Sequence, residues 1–180
     1  MRIAKTFISG LFIIEPNIFK DDRGYFFESF NKAEFLKSTG LDIDFVQDNE
    51  SKSSYGVVRG LHYQVEPYQQ AKLVRVIKGR VLDVAVDIRK SSPTYGKHFS
   101  IELSEQNKVQ LFIPRGFAHG FSVLSEEAIF FYKCDNYYNK SSERAILYND
   151  PTLDIKWKVS EEKMIVSDKD KNNAKFFVEL

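Results

Sequence analysis

Apolar and polar positions along this chain alternate in short runs more often than they recur at helical spacing, and a period of two is the signature of strand. Residues 3–15 form a first extended segment, closed by Glu15-Pro16. Asp21-Asp22-Arg23-Gly24 is a turn signal, glycine taking a positive φ at little cost, and residues 25–30 then alternate as a strand. Residues 32–38, KAEFLKS, predict a short helix ended by Gly40. Residues 45–49 read as a short strand running into a polar loop over 50–55. From Val57 onward the pattern is regular. Strands are predicted over 57–64, over 72–77 and 80–88 around Lys78-Gly79, and over 98–103, 109–113, 120–124 and 129–134.

The last third is less regular. Ser141-Ser142-Glu143 and Ser160-Glu161-Glu162 suit single helical turns, Asn149-Asp150-Pro151 breaks the chain, and Trp157 is expected to pack a C-terminal segment onto the strands. Many short strands with turns between them argue for an all-β sandwich or barrel with a few short helices, and a jelly roll is the expected form.

Composition sharpens this picture. Sixteen Phe and nine Tyr against one Trp are rings that favour pleated, half-buried surfaces. At 180 residues the chain is expected to be one domain, 1–180, burying roughly 70% of its unfolded surface. The single cysteine, Cys134, excludes an internal disulfide and a cysteine-rich metal site. Net charge is +1 with both signs interspersed, so no global charge argument points to nucleic acid or membrane. The N-terminal apolar run before Glu15 is four residues, too short for a signal segment or a membrane span. A soluble, cytoplasmic protein is the expectation.

Candidate chemistry centres on two of the three histidines. His62 lies in Val57-Val58-Arg59-Gly60-Leu61-His62-Tyr63-Gln64, inside an alternating run and beside a glycine that lets a ligand or backbone approach. On a regular strand, residues three apart point to opposite faces, so Arg59 and His62 share a pocket only if the strand bulges at Gly60. His119 lies in Ile113-Pro114-Arg115-Gly116-Phe117-Ala118-His119-Gly120-Phe121, a loop-to-strand corner fixed by Pro and Gly. Cupin jelly rolls often deliver a metal ligand at this spacing, paired with a His-x-His motif. Here the positions flanking His62 at that spacing are Gly60 and Gln64, and two neutral imidazoles make a poor divalent-metal site. No metal is expected. Tyr132 has the pattern of a core ring, Lys72 that of a solvated strand end, and Arg23, Glu28, Gln47, Asn49, Glu143 and Lys169 that of surface polar residues.

Taken together these residues fall into collinear motifs: DDRGYFFESF at 21–30, FVQDNESKS at 45–53, RGLHYQ at 59–64 and KLVRVIKGRVLDVAVDIRKSSPTYG at 72–96. They continue as QLFIPRGFAHGFSVLSE at 110–126, YKCDNYY at 132–138 and Ser-x-Lys-Asp at 167–170. Over nearly its whole length the sequence resembles the dTDP-4-dehydrorhamnose 3,5-epimerases, cofactor-independent cupins of deoxysugar synthesis. Ala71 replaces a common glycine, Tyr148 stands where tryptophan is frequent, and the loop 65–71 looks individual.

The resemblance implies that His62 is the general base, with Asp170 orienting and charging it, although Asp168 is a second acid close by. It implies that Tyr132 is the acid on the opposite face of the sugar and that Lys72 stabilises the enolate oxygen. His119 would line the phosphate or sugar end, and Arg59 and Lys169 would meet the diphosphate. Arg23, Glu28, Gln47 and Asn49 would hold the nucleoside, the first two reaching in from a neighbouring subunit of a homodimer. Tyr138 and Glu143 would complete the base and sugar pocket. The implied activity is inversion at C3 and C5 of dTDP-4-keto-6-deoxy-D-glucose without cofactor. A single-centre epimerase, a 3,4-ketoisomerase and a non-catalytic nucleotide-sugar-binding cupin stand as alternatives, the last disfavoured because binding needs no opposed acid and base.

Overall fold

Strands with one apolar face must cover it, and the computed structural model, which describes residues 1–179, does so with two sheets packed on each other. In chain order the elements are β1 (Arg2–Lys5), β2 (Phe12–Glu15), β3 (Phe19–Asp21), β4 (Gly24–Phe26), α1 (Lys32–Thr39), β5 (Gln47–Ser54), β6 (Val57–Gln64), β7 (Lys72–Lys78) and β8 (Arg80–Asp87). There follow β9 (His98–Ser104), β10 (Gln110–Ile113), β11 (Phe117–Val123), β12 (Glu127–Cys134), β13 (Glu143–Ala145), β14 (Ile165–Val166) and α2 (Asp168–Asn172). One sheet runs β1-β2-β10-β7-β12-β5 and the other β13-β6-β11-β8-β9, with β14 parallel to β6 and β3-β4 a separate hairpin. From β5 to β12 the chain crosses between the sheets at nearly every connection. This is an all-β cupin-type jelly roll.

The apolar layers follow the strand faces. Between the sheets lie Val74, Leu111 and Phe130 from one and Val81, Ala85 and Phe121 from the other, with Phe121 and Phe130 stacked at 4.3 Å between ring centroids. The outer face of the second sheet, carrying Val58, Leu82 and Val84, is covered by the C-terminal segment through Ile146, Leu153, Trp157 and Phe177, as expected for Trp157. The outer face of the first is covered by α1, whose Phe35 packs on Phe112 at 4.9 Å. Asn31 caps α1 by accepting from the Glu34 N–H, and Gly40 ends it in the left-handed region at φ 75°.

Several boundaries differ from the sequence reading. Residues 3–15 are two strands, and residues 25–30 keep strand geometry only to Phe26. Residues 141–143 are not a helical turn; Glu143 opens β13, which pairs with β6. The clearest difference is 50–55, expected as a loop and found mostly within β5. Its inward positions Gln47, Asn49, Ser51 and Ser53 are polar, Ser51 lining a cavity and the other three engaged in hydrogen bonds, and its outward positions are exposed. Without an apolar face the strand period is invisible to hydropathy. Among the described residues β5 pairs only with β12, and charged residues such as Asp48, Glu50 and Lys52 suit such an edge.

Candidate active site

The site begins with a bulge. In the β6–β11 register His119 faces His62, but Phe121 faces Arg59, so two steps on β11 span three on β6. That extra residue turns Arg59 and His62 to the same side. Gly60 makes it sterically possible: its φ is 117°, and a Cβ there would sit 2.6 Å from both Gly120 Cα and the His119 carbonyl oxygen. A Cβ on Gly120 would likewise come within 2.6 Å of the Arg59 carbonyl oxygen. Two facing glycines thus let the strands close while both functional side chains turn inward.

His62 is partly open, its side chain 31% exposed, and its Nε2 lies 2.6 Å from Asp170 Oδ1. Asp170 is buried on α2, where the Ser167 hydroxyl accepts its N–H. Burial pushes the Asp170 carboxyl up, but the hydrogen bond and charge of His62, the Gly60 N–H and Ser167 together hold it below the usual carboxylate value. Asp168, the competing acid of the sequence, is exposed to solvent.

The facing wall comes from β12 and β7. Tyr132 stands opposite Val74 on one side and Asn49 on the other. Burial pushes its phenol up to about 12. Lys72 Nζ lies 5.8 Å from the Tyr132 ring centroid. Burial pulls the Lys72 ammonium down, opposed in part by Cys134, Asp83 and Glu143. Arg59, His62, Lys72, His119 and Tyr132 share one cavity of ≈ 140 Å³, with Phe121 and Phe130 as its apolar wall. Arg59 Nε is held by the buried Ser53 hydroxyl at 3.1 Å.

Around this cavity runs a chain of polar contacts. Gln47 Nε2 donates to Asn49 Oδ1 at 3.0 Å, and Gln47 Oε1 accepts the Tyr138 N–H at 2.9 Å. The Tyr138 hydroxyl donates to Glu143 Oε2 at 2.9 Å, which also takes Lys169 Nζ at 2.6 Å. Burial raises the Glu143 carboxyl, and Lys169 and Tyr138 outweigh that to hold it below its ordinary value. Lys169 precedes Asp170 on α2, which ties this rim to the imidazole.

Eleven of the sequence candidates therefore meet: His62, Asp170, Arg59, Lys72, His119 and Tyr132 at the cavity, and Gln47, Asn49, Tyr138, Glu143 and Lys169 at its rim. Arg23 and Glu28 do not join them within one chain. Arg23 is 90% exposed and paired with Asp21, and Glu28 is exposed beyond β4.

Two residues escaped sequence reasoning. Asp83 is fully buried, with Oδ2 2.9 Å from His119 Nε2. Its signal was a lone acid inside the apolar run Val81-Leu82-Asp83-Val84-Ala85-Val86. Gln64, two residues beyond His62, donates to the Tyr68 and Tyr137 carbonyls at 2.6 and 3.2 Å and accepts the Asn139 N–H at 2.7 Å. It pins the loop 65–71 to the segment carrying Tyr138, a link no local pattern reveals. Among the described residues no group of three or more His, Cys, Asp or Glu side chains is placed to hold a metal ion.

Comparison with known proteins places this geometry in context. Residues 5–177 match the family model described as dTDP-4-dehydrorhamnose 3,5-epimerase. A dTDP-4-dehydrorhamnose 3,5-epimerase of Shigella flexneri is 56% identical over 176 residues, 98% of this chain and 96% of that protein. The crystal structure of a dTDP-4-dehydrorhamnose 3,5-epimerase from Elizabethkingia anophelis NUHP1 superposes with a TM-score of 0.96 at 55% identity, covering 99% of this chain and 97% of that one. A dTDP-6-deoxy-D-glucose-3,5-epimerase from Legionella pneumophila Philadelphia 1, solved in complex with dTDP-4-keto-L-rhamnose, superposes with a TM-score of 0.92 at 49% identity, covering 97% and 92%.

Proposed function

The chain belongs to the dTDP-4-dehydrorhamnose 3,5-epimerase family, and from that premise we propose how its own residues carry the reaction. The enzyme is an isomerase that inverts C3 and C5 of dTDP-4-keto-6-deoxy-D-glucose. A hydrogen beside the C4 ketone is acidic because the electron pair left on carbon delocalises onto oxygen. His62 takes that proton, the C–H pair moves into the enolate, and the enolate oxygen rests on the Lys72 ammonium. Tyr132 then gives its phenolic proton to the opposite face of the same carbon, and solvent restores both groups. The sequence repeats at the second centre.

One observation carries this reading: a carboxylate-backed imidazole and a buried phenol stand on opposite walls of a single small cavity, with a lysine beside the phenol. Inversion needs a base and an acid on opposed faces, whereas binding alone needs neither. The phenol, held protonated by burial, surrenders its proton only to a strongly basic partner such as an enolate carbon. A buried cation at the enolate oxygen is the kind of preorganised donor whose loss typically costs about 10²–10³ in rate.

The substrate's diphosphate falls to Arg59 and Lys169, and its nucleoside to Gln47, Asn49, Tyr138 and Glu143. Arg23 and Glu28 serve the site of a partner copy in a homodimer. The hairpin that carries Arg23 and leads to Glu28 is exposed and aromatic, with Phe19, Tyr25 and Phe26 at 64%, 56% and 71%, which supports pairing with a second chain. No helix among the described residues is long and apolar enough to cross a membrane. An unpaired, buried cysteine suits work in a reducing cytoplasm. The test is incubation with the 4-keto nucleotide sugar in D₂O, followed by NMR. The expected result is deuterium at C3 and C5 with inversion at both, and His62→Asn abolishes it. Exchange at neither centre in the wild-type protein would overturn the reading.

A further inference from the structure

His119 has two ring nitrogens, and one protein partner accounts for only one of them. Its Nε2 meets Asp83 Oδ2 at 2.9 Å, with the imidazole 8% and the carboxylate 0% exposed. Among the described residues Nδ1 has no hydrogen bond, yet the only sealed-off side-chain atom without a partner is Asp83 Oδ1. Nδ1 therefore opens onto the cavity that His119 lines.

The surroundings decide which nitrogen carries the proton. Asp83 lies between apolar strand neighbours, Phe121 on β11 and Ile101 on β9. The titratable groups facing His119 besides Asp83 are Lys72 on β7 and His62 on β6, both basic. Burial pulls the His119 imidazole down; Asp83 works against this, and the two basic groups reinforce it. A neutral imidazole facing an ionised carboxylate places its single proton on the nitrogen toward that carboxylate. Nδ1 is then a lone pair. Phosphate oxygens offer only lone pairs of their own, whereas a hydroxyl offers a proton.

We propose that Asp83 is a positioning residue that fixes His119 as a hydrogen-bond acceptor toward the cavity, so that His119 takes a hydroxyl of the bound sugar and not a phosphate oxygen. The ligand half of this inference rests on the nucleotide-sugar reading above; the tautomer half does not.

Long-range ¹H–¹⁵N spectra of protein labelled at its three histidines test the tautomer directly. The signal lost in His119→Gln is expected to be neutral at pH 7 and above, with its proton on Nε2. A proton on Nδ1, or an imidazolium at pH 7, overturns the proposal. In Asp83→Asn the amide donates to Nε2 and the proton is expected to move to Nδ1; an unchanged tautomer there would mean that Asp83 does not set it. His119→Gln keeps a donor for Asp83 at the position of Nε2, and with that donor in place its amide oxygen points away from the position of Nδ1, so the acceptor there is lost. Calorimetry on this variant is expected to give wild-type affinity for dTDP but roughly 10–100-fold weaker binding of dTDP-L-rhamnose. Equal losses for both ligands place His119 at the diphosphate and overturn the ligand half. Failure of the wild-type protein to bind dTDP at all overturns the nucleotide-sugar reading and the ligand half with it, and the spectra still decide the rest.

Discussion

Replacing Tyr132 by phenylalanine separates proton removal from proton return. The ring contacts survive: Phe130 at 6.1 Å between centroids and Lys72 Nζ at 5.8 Å need no hydroxyl. The hydroxyl has no hydrogen-bond partner among the described residues, so its loss leaves no buried group unpaired and costs less than about 1 kcal/mol in folding. The chemical cost is larger. A positioned acid contributes about 10²–10⁴ in rate, or about 3–5 kcal/mol. His62, Asp170 and Lys72 remain in place, so abstraction and enolate formation continue, and the base can return a proton to the face it left. In D₂O, Tyr132→Phe should therefore keep solvent exchange at C3 while losing about 10²–10⁴ in net inversion, C5 suffering most because it follows a product the variant barely makes. The assay is NMR of exchange and of configuration in one time course, with thermal unfolding as the folding control. Inversion of both centres at near the wild-type rate refutes the assignment. The acid would then have to be sought elsewhere, beginning with Tyr138, although its hydroxyl is already engaged by Glu143.

Asp170→Asn should lower turnover by roughly 10–100-fold, less than His62→Asn, because it removes the orienting charge and not the base; steady-state rates of the two variants decide this. Asp87, fully buried, sits where burial would raise its carboxyl, but Arg89, Ser92 and Thr94 together bring it to about 2 from an ordinary 3.8. A depressed carboxylate stabilises fully above its unfolded value near pH 4 and loses that contribution as pH falls toward 2. Asp87→Asn should thus cost about 2 kcal/mol at pH 7 and flatten the decline in urea stability between pH 4 and pH 2; a parallel decline in both proteins would contradict it. Mixing Arg23→Ala with His62→Asn protomers should restore part of the activity that each alone lacks, since one of the two mixed sites is intact; no recovery in verified mixed dimers would confine each site to one chain. Activity should survive exhaustive chelation, and loss that is restored by a specific divalent ion would return a metal to the mechanism.

The strands β6 to β12 were legible because each is a short run that buries apolar side chains between turn signals, alternating with partly exposed positions in β12 and nearly continuous in β8 and β11, which are buried on both faces. The short helix was legible from Gly40, since only a residue at ease in the left-handed region ends a helix that way. Strand β5 was not, because its inward positions are as polar as its outward ones and the strand has no apolar side. Individually, the residues of the site looked ordinary; their assignment came from collinear motifs held in common with a family, and hydropathy contributed little to it. Whether Arg59 and His62 share a face could not be settled along the chain, because a regular strand separates them and only a bulge joins them. Tertiary structure decided it through the one-residue mismatch at Gly60, where Gly120 of the neighbouring strand leaves no room for a side chain. It also chose Asp170 over Asp168: one turn of helix, capped by Ser167, points the first at His62 and leaves the second in solvent. Asp83 shows the limit most directly. A lone acid in an apolar strand announces in the sequence that something must face it, but that its partner is His119, thirty-six residues away, is fixed only by the register of β8 against β11.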